Sequence, residues 1–353
     1  MTDRASTNPN AARLARGLLS GLAAAVSLAC LPAWLPGGSA RAQTAEAAPA
    51  PRAGESQIIS SVVRVDARIV ENGRTVDSLG AKRTGSGVIL DERTVLTIGY
   101  LVMEADRVEV STASGRHIPA SLLAYDHASG FGLLRTALPM DGRPLELGDS
   151  DRVLERQRVL TIGHGEPEAT PVVVVSRKRF TGNWEYLVEQ ALFTFPPVNN
   201  WSGSALLSEE GKLVGIGSLV VNDAAAAQQG VPGNMFVPVN LLKPIMGELV
   251  SNGRVRQAQP WLGMTTELVR GNLMVTRVSP GSPADQAGVT AGDIVLGVGD
   301  DKVADQAEFY RQVWKTGPAG TEIPLRLLKS GNVQDMRIRS IDRNEFLRKA
   351  TGI

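Results

Sequence analysis

From Ile58 onward, apolar and polar positions alternate in short runs broken by glycine, aspartate and asparagine. Ser61 to Val65, Gly87 to Leu90, Thr94 to Ile98 and Arg107 to Ser111 read as strands. So do Arg158 to Ile162, Pro171 to Val175, Tyr186 to Leu192 and Lys212 to Leu219. Side chains on a strand point alternately to its two faces, so such runs build half-buried strands, and their closeness predicts a barrel or a sandwich. Ala224 to Gly233 is small and polar and is expected to be a surface loop. Val239 to Val250 changes period: Leu241, Leu242, Ile245, Met246 and Leu249 share one helical face, with Gly253 as the stop. Beyond Pro260 strands return, with helical stretches expected at Ser282 to Gly288 and Asp305 to Thr316. No 20- to 50-residue period recurs, which argues against a solenoid.

The first 42 residues have another texture. Arg4, Arg13 and Arg16 precede an apolar stretch from Leu18 to Leu35, and Ala40-Arg41-Ala42 fits a small-residue cleavage site. Pro32 interrupts the stretch, and a spanning helix needs about 20 apolar residues, so an export signal cut after Ala42 is the better reading. Cys30 is the chain's one cysteine, and Leu28-Ala29-Cys30 leaves lipid attachment there as a minor alternative. Cleavage after Ala42 would leave no thiol for a disulfide, a nucleophile or a metal site. Residues 43–54 are small and Pro-rich and read as a flexible tether.

Composition narrows the function. The chain has 353 residues, enough for about two domains, and the near balance of 37 Lys and Arg against 36 Asp and Glu points to neither nucleic acid nor an anionic membrane. No metal-ligand cluster, phosphate loop or nucleotide fingerprint stands out, so no cofactor and no metal are expected.

Four segments, in order, resemble the HtrA/DegP serine protease domain. Gly85-Ser86-Gly87-Val88-Ile89-Leu90 with Val95 to Val102 matches the region of the family's histidine, and Ala124 to Arg135 matches that of its aspartate. Leu147-Gly148-Asp149-Ser150 with Val159 to Gly163 follows. Asn200-Trp201-Ser202-Gly203-Ser204 with Gly211 to Ile216 matches the region of the nucleophile. The resemblance implies a mainly β fold, a chymotrypsin-like double β-barrel with its active site between the barrels. Residues 260–345 resemble the family's PDZ domain, an α+β fold, through Pro260-Trp261-Leu262-Gly263-Met264, Ser279-Pro280-Gly281-Ser282-Pro283-Ala284 and Ala291-Gly292-Asp293-Ile294-Val295. The implied layout is a signal at 1–42, a tether at 43–54, a protease-fold domain at 55–252, a linker at 253–259, the PDZ domain at 260–345 and a C-terminal tail at 346–353. The implied location is periplasmic or secreted.

Carried over residue by residue, the resemblance keeps the serine alone. Ser202 falls on the nucleophile position, Tyr100 on the histidine position and Gly130 on the aspartate position. The oxyanion donors would be the backbone N–H groups of Asn200 and Ser202. Serine attack needs a base within hydrogen-bond reach, held in one tautomer by a third group. A neutral phenol is a poor proton acceptor near pH 7, and glycine carries no carboxylate. Ser202 is therefore either a leftover turn hydroxyl or a nucleophile served by an unusual base. The three histidines, His117, His127 and His164, are expected on turns or edges out of its reach, with His127 the nearest and Asp126 capping a turn. For the PDZ segment the resemblance implies capture of a peptide C-terminus by the N–H groups of Leu262, Gly263 and Met264. Phe309 and Val313 either flank the groove or pack the core. The expected partners are polypeptide C-termini or unfolded segments, not nucleic acid or a small-molecule cofactor. Three functions stay open: a pseudoprotease that binds peptides, an active endopeptidase, and a non-catalytic subunit. The family's assemblies imply a homotrimer or a hetero-oligomer with an active relative.

Overall fold

In the strand β1 (Val62–Ile69) buried residues alternate with outward ones, whereas β3 (Thr94–Ile98) is buried throughout. Together with β2 (Lys82–Ile89), β4 (Ala105–Ser111), β5 (His117–Tyr125) and β6 (Phe131–Thr136) they close a barrel in the order β1-β2-β3-β6-β5-β4. This computed structural model describes residues 58–225 and 230–350. The export signal, its Cys30 and the tether expected at 43–54 lie outside the described residues.

A second barrel, ordered β10-β11-β12-β9-β8-β7, is built from β7 (Arg158–Ile162), β8 (Thr170–Gly182), β9 (Tyr186–Phe195), β10 (Ala205–Leu207), β11 (Leu213–Val221) and β12 (Gly233–Pro238). Closure leaves no free sheet edge in either barrel. One apolar core runs from Val63, Leu96 and Phe131 of the first barrel to Ile162, Phe193 and Ile216 of the second, which fixes the cleft between them.

The third sheet has the order β13-β14-β15-β17-β18: β13 (Met264–Val269), β14 (Asn272–Val278), β15 (Ile294–Val298), β17 (Glu322–Lys329) and β18 (Asn332–Arg339), with β16 (Asp301–Lys302) paired to β15. A helix over Gln306–Lys315 covers it and buries Ala307, Phe309, Tyr310 and Val313. Asp305 caps that helix by accepting from the Glu308 N–H at 2.7 Å, the role its short polar side chain suits. The helical stretch expected at Ser282 to Gly288 is a single turn, Pro283–Gln286, capped by Ser282.

Two local expectations are corrected. The helix expected from Val239 to Val250 is a 3₁₀ turn, Val239–Leu241, followed by an α-helix over Met246–Asn252. Pro244 separates them, because proline donates no hydrogen bond and its ring disfavours helical backbone just before it. Gly253 ends the helix in the left-handed conformation, as its position suggested. The loop expected at 224–233 is less superficial than its composition implies. Ala224 is fully buried, its N–H donates to the Val231 carbonyl, and its carbonyl accepts from the Ser176 hydroxyl; residues 226–229 lie outside the described residues. At the far end, Arg74 lies over the Phe346 ring at 3.7 Å, and the Arg348 N–H donates to Glu104 at 2.7 Å. The start of the expected tail is thus packed on the first barrel.

Candidate functional site

Tyr100 sits in the 3₁₀ turn Gly99–Leu101 that follows β3, and Ser202 in the turn before β10, so the two barrels bring them face to face. Their hydroxyl oxygens are 2.7 Å apart. The Tyr100 hydroxyl also donates to the Ser218 carbonyl at 2.9 Å. A phenol has one proton, so Ser202 is the donor in the shorter contact. Burial pushes the Tyr100 phenol well above its ordinary range, which keeps it neutral. Gly130 is next to this pair: its carbonyl accepts from the Gly99 N–H at 2.7 Å. It lies at φ +77, and a Cβ there would meet the Tyr186 hydroxyl at 2.9 Å. That hydroxyl donates to the Ser129 carbonyl at 2.8 Å. The space where a residue 130 side chain would begin is thus taken by a tyrosine from the second barrel. Asn200 is exposed and Ser202 half-buried, and the Ser202 carbonyl accepts from the Ser86 N–H at 2.8 Å.

All three histidine rings are committed elsewhere. His164 Nδ1 lies 3.0 Å from the Ser86 hydroxyl, and burial, then Arg64, lowers its pKa. His117 is exposed, and Ser111 and Glu109 meet the same nitrogen, Nδ1, so no relay through the ring exists there. His127 corrects its expectation. It is buried, 3.1 Å from the Tyr125 hydroxyl and 2.9 Å from Arg343, and burial, then Arg343, pushes its pKa well below the usual value. The ring tied to the serine turn through hydrogen bonds is His164, by way of Ser86, rather than His127. Asp126 caps its turn by accepting from the N–H and hydroxyl of Ser129. Among the described residues, no three His, Cys, Asp or Glu side chains group as metal ligands.

Beside Tyr100 lies a cavity of about 550 Å³, lined by Trp201 and Leu219 of the second barrel and by Trp184, Tyr186 and Arg343. Trp184 and Tyr186 belong to the hairpin joining β8 to β9, and their rings stack 5.5 Å apart.

The same hairpin reaches the loop before β13. The backbone N–H groups of Leu262, Gly263 and Met264 all donate to the Glu185 carboxylate, at 2.9, 2.5 and 2.9 Å. Glu185 is buried and takes φ +59, a left-handed conformation that side chains other than glycine adopt at some cost. Burial pushes its carboxyl up to about 7, against the three N–H donors and Arg343, which pull it down. Gly263 is required for a local reason: at φ +84, a Cβ would meet the Ser282 Cβ at 2.2 Å. Leu187, next inward on β9, is buried in the apolar cluster that holds Leu262, Met264, Phe309 and Val313. Further ties are Tyr310 to the Gly182 carbonyl at 3.1 Å and Arg311 to both oxygens of Glu189 at 2.6 and 2.8 Å. Sequence reasoning missed Glu185, Tyr186 and Leu187 as contributors. The one available signal was a carboxylate flanked by Trp184 and Tyr186 in a hairpin turn.

Two closed six-stranded antiparallel barrels followed by a six-stranded sheet and its covering helix define a trypsin-like fold joined to a PDZ fold. Residues 85–216 match the trypsin-like peptidase domain family and residues 260–339 the PDZ domain family. A probable periplasmic serine protease do/HhoA-like of Haemophilus influenzae is 28% identical over 288 residues, covering 76% of this chain and 60% of the relative. The periplasmic serine endoprotease DegP of Salmonella typhimurium is 28% identical over 264 residues, covering 70% of this chain and 54% of the relative. The chain therefore spans well under two thirds of the length of these relatives. The solved serine endoprotease from Yersinia pestis is 27% identical with a TM-score of 0.51, covering 81% of this chain and 96% of that one. An HtrA-type protease AlgW structure, 22% identical with a TM-score of 0.53 and covering 83% and 95%, shares the fold. The chain belongs to the HtrA/DegP family.

Proposed function

We propose that this protein is a non-catalytic member of its family that binds exposed polypeptide C-termini or unfolded segments through its PDZ domain. The observation that carries the reading is the 2.7 Å contact between Ser202 and a phenol whose own proton is given to Ser218. Attack by a serine requires a base that accepts its proton as the bond forms. The Tyr100 oxygen accepts a hydrogen bond from Ser202 but, as a neutral phenol, has no useful affinity for the proton. Removing the base of a well-studied serine protease costs on the order of 10⁶ in turnover, more than oxyanion donors restore. The peptide half rests on the three N–H groups of Leu262, Gly263 and Met264, which converge on one carboxylate as capture of a chain terminus requires. The periplasmic naming of the relatives and the basic, apolar and small-residue order of residues 1–42 support the periplasm as its location.

A working endopeptidase is the second reading, supported by the retained Ser202 and by relatives named as proteases. Casein cleavage by the wild-type chain and by Ser202→Ala separates the two. Equal background rates support the non-catalytic reading, and cleavage that disappears with Ser202 overturns it.

A further inference from the structure

We propose that Glu185 and Leu187 act as an internal ligand of the PDZ carboxylate loop, so that an external peptide terminus binds only by displacing the hairpin that carries them. This rests on the peptide-binding reading above and adds how that site is controlled. All three N–H groups that would hold a terminal carboxylate already hold one, from a residue 77 positions upstream of Leu262. The carboxyl oxygens of Glu185 supply the acceptors, and Leu187 supplies the apolar anchor within the cluster of Leu262, Met264, Phe309 and Val313. A terminal residue of a bound peptide needs the same pair of features: a carboxylate in the loop and an apolar side chain in the groove. Glu185 holds a left-handed backbone and sits away from water, two costs that a purely structural turn residue would not require. By contrast β13 is the terminal strand of its sheet, so the edge along which a peptide strand would pair is not taken by another strand. The carboxylate loop is filled; beside it no strand pairs with the outer side of β13, where the Gln306 side chain donates to the Thr266 carbonyl.

A tethered ligand competes at an effective concentration on the order of millimolar, so a free peptide meets a site that is populated only in part. The test is fluorescence anisotropy of a labelled peptide with an apolar last residue and a free C-terminus, with the amidated peptide as control. Hydrogen exchange of the 262–264 amides is read on the same samples. Glu185→Ala removes the internal carboxylate, and Glu185→Gln keeps its size in case the smaller side chain unfolds the hairpin. The expected result is exchange at 262–264 that quickens in both variants, with affinity for the free-acid peptide rising at least about tenfold. Gly263→Val should abolish that gain. Equal affinity in wild type and variants, or exchange at 262–264 that does not respond to Glu185, overturns the proposal. Exchange that quickens while no peptide binds any variant upholds the internal contact and instead sinks the peptide-binding reading.

Discussion

The cleft between the barrels and the loop of the PDZ domain each present a group that, in other circumstances, would meet a substrate. In the cleft the group is a hydroxyl, Ser202, and its partner is a neutral phenol that gives its own proton to the Ser218 carbonyl and accepts from the serine. In the loop it is a row of three N–H donors, and their partner is the Glu185 carboxyl group, whose two oxygens accept from all three. Chemistry needs a specific proton acceptor at one atom, so on the non-catalytic reading proposed above a tyrosine at position 100 is enough to prevent it. Recognition by backbone donors depends on loop geometry and survives side-chain drift. One hairpin from the second barrel touches both regions, with Tyr186 against Gly130 and Glu185 in the loop.

The sharpest way to break this contrast is to place an acid at residue 130, where the resemblance puts the family's aspartate. Gly130→Asp should not restore activity even alongside Tyr100→His. Its Cβ meets Tyr186 and its backbone is left-handed, so strain and overpacking together should cost about 3 kcal/mol in urea unfolding. A Gly130→Asp protein as stable as wild type would refute the packing argument. Next in size, Tyr100→Phe leaves the Ser202 hydroxyl and the Ser218 carbonyl without their shared partner. The expected loss is about 1–2 kcal/mol in the same assay.

Proton linkage tests the other half. The Glu185 carboxyl, ordinarily near 4.5, sits at about 7 when docked. Below 4.5 it is neutral in both states; between the two values docking takes up a proton; above 7 docking must bury the charge. Docking therefore weakens as pH rises through about 7. Of the groups that face Glu185 beside the Arg343 guanidinium, burial holds Tyr310 neutral, and burial, then Arg343, holds His127 neutral. External peptide affinity should rise about tenfold from pH 6 to pH 8 and become flat in Glu185→Gln. The smallest effect belongs to the exposed Arg311–Glu189 pair, where Arg311→Ala should cost less than about 1 kcal/mol and raise peptide affinity only slightly.

Most of the barrels was legible in the sequence, because a period of two and frequent turn residues announce strands directly, as in the run from Ser61 to Val65 that falls in β1. Placing Tyr100, Gly130 and Ser202 together came from the ordered resemblance of four segments. What stayed hidden depends on contacts far apart in the chain. Glu185 meets a loop 77 residues away, and His127 is buried by Arg343, 216 residues away; neither pairing leaves a local pattern. The broken helix after Val239 is another case: its apolar spacing was periodic, yet Pro244 overruled it.

The central claim concerns the Ser202 proton, and a fluorophosphonate probe reads it most directly. At pH 7, with an active family member labelled in parallel, the account predicts no adduct on Ser202 by intact mass. A stoichiometric adduct that vanishes in Ser202→Ala would mean that the serine is activated after all, and would contradict it.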